Sequence, residues 1–310
     1  KGWCNNTVNL KNVELDVNNK YYKKYNEKMI IGKSSTESDE FDVLVFVERD
    51  AINITIPSFI KHISSQSFSY SLIQTISIPS QIKRIHREAF YSCKNLNKIE
   101  IPLNSQLTNI EPYSFSYTSI KEIQIPNGVI NFFNYAFSLC EELKKIEFQN
   151  DSNLKMIGSS SFDDADIKCI KIPSSVEELK CDWCHGTHFE KVIVDKDNKN
   201  YKNFGNNIVI GKSDSKNSEY DVLVFASRDY YIEKIEIPPF IKKIDSFSFE
   251  TTFIDEIILP SNVVEIGMCA FNYCFRLSKF KIEPNSNLKI INQEAFCHSP
   301  IKSFIIPPLV

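Results

Sequence analysis

The chain has 310 residues, 42% of them hydrophobic, and a formal net charge of −3 at pH 7. That length supports a sizeable core in one to three domains. A slight excess of acid, spread among the lysines, lacks the clustered cation that phosphate neutralisation needs, so no nucleic acid partner is expected. No apolar run approaches the roughly eighteen residues of a membrane span, so no membrane insertion is expected within this stretch. Only eight glycines occur, none of them arranged as a phosphate-binding loop.

In chain order, "GWCNNTVNLKNVELDV" predicts a strand over 10–16. An insertion over 18–51 follows. Its core, "NEKMIIGKSSTESDEFDVLVFVERD" (26–50), places two strand-like runs about a polar, Ser-rich loop, which reads as a β-hairpin.

From residue 52 the chain repeats. Apolar runs end in X-Pro at Pro57, Pro79, Pro102 and Pro126, and again at Pro173, Pro238, Pro260, Pro284 and Pro307, with Gln149 holding the slot between the two series. Apart from the gap that the second insertion opens between Pro173 and Pro238, successive anchors lie 22 to 24 residues apart, which is leucine-rich-repeat spacing. Strands are predicted over 52–56, 73–78, 96–101, 120–125, 143–148, 167–172, 189–194, 232–237, 254–259, 277–282 and 301–306. Most end at a proline, which cannot donate to a ladder.

An aromatic slot recurs as Phe68, Phe90, Phe115, Phe137, Phe162, Phe249, Phe271 and Phe296, each after Ala or Ser. One coil cannot bury its own apolar side, whereas stacked coils bury a continuous one, with these phenylalanines as its structural spine. The period predicts an α/β leucine-rich-repeat solenoid: a stacked parallel β-sheet, short turns or helical segments opposite it, and two β-hairpin insertions. It is read as a single continuous domain over 1–310, a fragment of a longer chain.

"CDWCHGTHFEK" (181–191) contains C-x-x-C-H, a pattern shared by haem attachment, zinc knuckles and thiol redox pairs. A second insertion, over 196–231, follows it. There "GNNIVIGKSDSKNSEYDVLVFASRD" (205–229) matches residues 26–50 at an offset of 179. In this duplication Trp183-Cys184 answers Trp3-Cys4, but Cys181 answers Lys1 and His185 answers Asn5. The part that chemistry needs does not recur, so junction packing is the expectation, and a thiol or metal site at Cys181–His188 is the distant alternative. Cys93, Cys140 and Cys274 each fall three residues after a spine Phe, where other coils hold small residues, and read as core hydrophobes.

The five histidines form no frame with a nucleophile and an acid. No enzymatic activity, metal or cofactor is expected. Residues flanking the central Ile of each strand point away from the core. The signs of Lys98, Glu122 and Lys145 alternate on neighbouring strands, predicting cross-strand pairing. The later strands give the candidate protein-binding face: Lys234, Glu236, Glu256, Ile258, Lys279, Lys281 and Ile305. The loops "GKSSTESDEF" and "GKSDSKNSEY" are secondary candidates. Glycosylation sequons stand at Asn5, Asn53 and Asn150.

The unit "IPSQIKRIHREAFYSCKNLNKIEIP" resembles the BspA-like leucine-rich repeats in its I-P, Ala-Phe and following small residue, over nearly the whole chain. The wording "DVLVFASRD" and "IPPFIKKI" looks most like the trichomonad protist members of that family. The resemblance implies a cell-surface or secreted antigen that adheres to protein ligands, such as host matrix or cell-surface proteins, and it brings no catalytic residues. An intracellular protein-interaction scaffold of the same fold is the alternative.

Overall fold

The computed structural model describes residues 7–216 and 218–310. The chain divides into two compact units, the first ending at Ile167 and the second running Lys168–Val310. Trp3, Cys4 and the sequon asparagine Asn5 lie outside the described residues.

Each unit is a β-solenoid of stacked parallel strands. In the first, Thr75–Ser77 pairs with Lys98–Glu100, and Glu122–Ile125 pairs with Lys145–Phe148. In the second, Cys169–Ile172 pairs with Lys191–Val194, and Glu256–Leu259 with Lys279–Ile282. The I-x-I alternation drives this, burying Ile99 between exposed Lys98 and Glu100. Pro57, Pro79, Pro238 and Pro260 end their runs in tight turns, each carbonyl accepting from the N–H three residues on.

Eight of the predicted strands form, and those over 10–16, 52–56, 232–237 and 301–306 do not. Over 232–237 only an isolated bridge joins Lys234 to Glu256. For 232–237 the physical reason is visible at the second insertion. The Asn203 amide accepts from Val194 N–H at 2.8 Å and donates to the Val192 carbonyl at 2.7 Å. A side chain thus satisfies an edge that a further strand would otherwise fill.

A second parallel ladder lies outside the predicted strands. Its rungs are two-residue strands: His62–Ile63, Arg84–Ile85, Asn109–Ile110, Asn131–Phe132 and Met156–Ile157 in the first unit. Lys243–Ile244, Glu265–Ile266 and Ile290–Ile291 form it in the second. Each insertion feeds this ladder. Tyr22–Asn26, Met29–Gly32 and Val43–Val47 form an antiparallel meander whose last strand runs parallel to His62–Ile63. Tyr201–Phe204, Ile208–Gly211 and Val222–Ala226 repeat the arrangement against Lys243–Ile244.

The helical segments expected opposite the sheet are absent among the described residues, and the fold is a β-solenoid instead of an α/β repeat. Backbone conformation explains the correction. Eight coils place two residues four apart in the left-handed region, for example Glu88 and Ser92, Tyr113 and Tyr117, or Phe247 and Thr251. A non-glycine residue there costs on the order of 1 kcal/mol and breaks a helix. The freed donors turn outward along the stack: Glu88, Phe90 and Ser92 N–H reach the carbonyls of Pro112, Ser114 and Ser116.

Inside, the spine stacks nearly face to face. Ring centroids lie 4.7 Å apart for Phe68–Phe90 and 5.2 Å apart for both Phe90–Phe115 and Phe115–Phe137. In the second unit Phe249–Phe271 lie at 4.8 Å and Phe271–Phe296 at 5.5 Å. Seven of the eight spine rings, Phe162 among them, are fully buried, and Phe296 is partly buried. The coil spacing imposes this parallel geometry, although free rings prefer offset or edge contacts.

Candidate functional site

The outward columns of the sheet carry the expected charged residues, with a different pairing. Lys98 contacts Glu100 at 2.7 Å and Lys145 contacts Glu147 at 2.8 Å, both along their own strands. Glu122, in register with Lys145, adds a weaker charge interaction with both lysines. Residues two apart on one face lie within reach of a lysine, so the intrastrand contact wins over the cross-strand one. Side chains of Lys98, Glu100, Glu122, Gln124, Lys145 and Glu147 help line an open depression of about 910 Å³.

On the second unit the candidate face is only partly assembled. Lys281 reaches across to Glu256 at 2.6 Å, and Lys234 lies 3.7 Å from Glu236. Lys279 stands in register with Glu256, and Ile258, 44% exposed, in register with Lys281. Ile305 is 88% exposed but lies outside any strand, and the ion pairs of the face do not include it. The two insertion loops present aromatic rings under cations instead. Lys23 and Lys33 lie over Phe41, and Lys202 and Lys212 over Tyr220. Sequon residues Asn53 and Asn150 are exposed.

The Cys-x-x-Cys-His stretch is dispersed. Cys184 is fully buried, its thiol directed at the Phe247 carbonyl, and burial pushes its pKa up to about 12. The Thr187 hydroxyl donates to the Cys184 carbonyl as Thr118 does to that of Phe115, so Cys184 stands in the spine slot. Trp183 packs on Phe189 and Phe225 with centroids 5.8 and 6.0 Å away. Cys181 is exposed beside Asp182, and both cysteines carry free thiols. Among the described residues no group of three or more His, Cys, Asp or Glu side chains is placed to hold a metal ion.

His185 serves a different partner. Its Nδ1 lies 3.0 Å from Glu250, a carboxylate buried to 2% exposure, and Gly186 N–H donates to the same group at 3.0 Å. Buried Arg228 lies 3.8 Å from Glu250 and donates to the Thr187 and Phe247 carbonyls. Burial pushes the Glu250 carboxyl up, but the His185 hydrogen bond, the Arg228 and His185 charges and the Gly186 N–H together hold it below the usual range. The Arg-Asp pair recurring at 49 and 228 was the available sequence signal for this network.

The core cysteines form a polar ladder that their sequence position only hinted at. Cys93, Cys140 and Cys274 thiols donate to the carbonyls of Phe68, Phe115 and Phe249 at 3.0 to 3.1 Å. Each also meets a hydroxyl of the preceding coil, Ser71, Thr118 or Thr252, at 3.3 to 3.5 Å. Burial raises all three thiols to about 11, so they are packing groups and not nucleophiles.

Coil length, X-Pro turns and the Phe spine meet in one match. A family model described as the BspA type leucine rich repeat region fits residues 17–106, 61–188 and 223–310, in six copies. The chain belongs to the BspA-type leucine-rich-repeat family. No curated protein matches it. Among solved structures, the pneumococcal vaccine antigen PcpA is similar at 20% identity and a TM-score of 0.77, over 92% of this chain and 81% of that one. A leucine rich cell surface protein from Faecalibacterium prausnitzii is similar at 18% identity and a TM-score of 0.66, over 93% of this chain and 89% of the other. A leucine-rich repeat protein from Eubacterium ventriosum follows at 17% and 0.56, over 92% and 90%. At such identities the likeness speaks for the fold. No helix among the described residues is long and apolar enough to cross a membrane.

Proposed function

We propose that this BspA-type protein is a non-enzymatic cell-surface binding protein that engages a protein ligand through its exposed sheet face. The observation that carries the reading is Ile258. At the corresponding strand position the first unit holds Ser77, Glu100, Gln124 and Glu147, yet the second exposes an isoleucine between its Lys234–Glu236 and Lys281–Glu256 pairs. An apolar centre within a charged rim is the anatomy of a protein interface. Two fold relatives, a vaccine antigen and a cell surface protein, support the location.

The test is antibody labelling of intact source cells beside permeabilised controls. Labelling of intact cells supports the surface reading, and glycosidase-sensitive mobility would add occupied sequons at Asn53 or Asn150. Labelling only after permeabilisation overturns it in favour of an intracellular scaffold.

A further inference from the structure

In the segment joining the second insertion to its next coil, the chain runs nine residues from Asp229 to Pro238, against seven from Asp50 to Pro57 in the first copy. The extra length carries Tyr230 and Tyr231, which are 60% and 86% exposed. Tyr230 meets Tyr231 edge-on at 5.7 Å and Phe253 at 5.0 Å. Phe253 holds the position four residues after its spine Phe, where the first unit has exposed Leu72 in the matching coil and Lys94, Ser119, Glu141 and Asp166 in the others. One coil on, the same position is Phe275, 66% exposed. The fold accepts polar residues here, so these exposed rings are not demanded by packing.

Acid borders the rings. Arg276 lies over Tyr230 at 5.9 Å, but its guanidinium is already held by Asp255 at 2.8 and 3.1 Å and by Glu233 at 3.4 Å. Glu233 remains 70% exposed, and the partly exposed Asp229 accepts from Tyr231 N–H. Nearer the strands, Lys234 pairs with Glu236 and Lys281 with Glu256. We propose that the cluster of Tyr230, Tyr231 and Phe253 docks a protein segment bearing arginine or lysine beside apolar side chains. Ring faces attract cations, the Glu233 and Asp229 carboxylates add charge complementarity, and large exposed aromatics are the residue type that dominates binding energy. The inference goes beyond the surface assignment: the patch lies off the strand columns and serves in either compartment.

The experiment is fluorescence anisotropy with the whole chain and a short labelled peptide alternating arginine and leucine, beside glutamate–leucine and arginine–serine counterparts. The arginine–leucine peptide binds best, more weakly as salt rises, and about tenfold more weakly to Y230S/Y231S and to E233K. Y21S, at an exposed tyrosine of the first unit, leaves binding unchanged. Unaltered urea midpoints in all variants, expected for exposed sites, separate lost binding from lost folding. Equal binding of the glutamate–leucine peptide, or wild-type binding by Y230S/Y231S, overturns the proposal. So does self-association that Y230S/Y231S abolishes while no peptide binds, which would make the occupant a second copy.

Discussion

Both insertions fold as three antiparallel strands and enter the second ladder in the same register, Val43 on His62 and Val222 on Lys243. Both lay a tyrosine ring on a glycine, since a Cβ at Gly32 or Gly211 would fall 2.9 Å from Tyr22 or Tyr201. Their fastenings differ. Arg49 donates to the carbonyls of Val47, Gln66 and Ser67, whereas Arg228 adds the buried carboxylate of Glu250, itself met by His185. Ser69 occupies the place of Glu250 in the first copy. One backbone plan therefore tolerates two solutions at its junction, one resting on carbonyl dipoles and one that includes a charged pair.

The sharpest way to separate them is to remove each arginine. Arg228→Met strips the buried carboxylate of its arginine, leaving His185 beside it, and is expected to cost about 3–5 kcal/mol. Arg49→Met leaves buried carbonyls short of a donor, at about 1–3 kcal/mol. Urea unfolding of the two variants checks this, and equal losses would mean that the carboxylate contributes nothing. Next, Phe115→Ala in the fully buried spine should cost about 3–5 kcal/mol, with Phe296→Ala costing less because its ring is only partly buried.

Acid titration sharpens the contrast further. Glu250 ionises below the usual carboxylate range in the folded chain, so its contribution is present above the unfolded pKa and lost as pH falls through the folded one. Stability of the second unit should therefore fall more steeply on acidification than in Glu250→Gln, followed by hydrogen exchange. A pH dependence unchanged in the variant would remove Glu250 from the account. The smallest perturbation is thiol labelling of the native chain. Exposed Cys169 and Cys181 should react, whereas Cys93, Cys140, Cys184 and Cys274 should stay protected until denaturant is added, as read by mass spectrometry.

Much of the fold was legible because its period is simple. The X-Pro anchors located six of the eight sheet strands and the repeat register the other two, and the Phe slot located a spine that the structure stacks ring on ring. The two-residue ladder escaped because His62–Ile63 or Arg84–Ile85 is too short to show alternation. The expected helical segments failed because "REAFYSC" contains good helix formers, while the left-handed positions at Glu88 and Ser92 are imposed by the neighbouring coil. The candidate face was legible as columns but not as contacts: the intrastrand pairing of Lys98 with Glu100 depends on side-chain reach. The aromatic cluster escaped because Tyr230 and Phe253 are far apart in the chain and fall outside the strand pattern.

The backbone hydrogen bonds that join the left-handed turn of one coil to the next point one way along the sequence. Gln66, Phe68 and Tyr70 donate to Arg87, Ala89 and Tyr91, and Glu88, Phe90 and Ser92 donate in turn to the coil after theirs. During synthesis, then, a coil that has left the ribosome holds three N–H groups idle until roughly one more repeat has emerged. Left-handed residues that later coils hold in place have nothing to hold them until that moment. Growth of the solenoid is thus a relay in which each turn is completed by its successor, and any pause in translation leaves the newest turn unfinished.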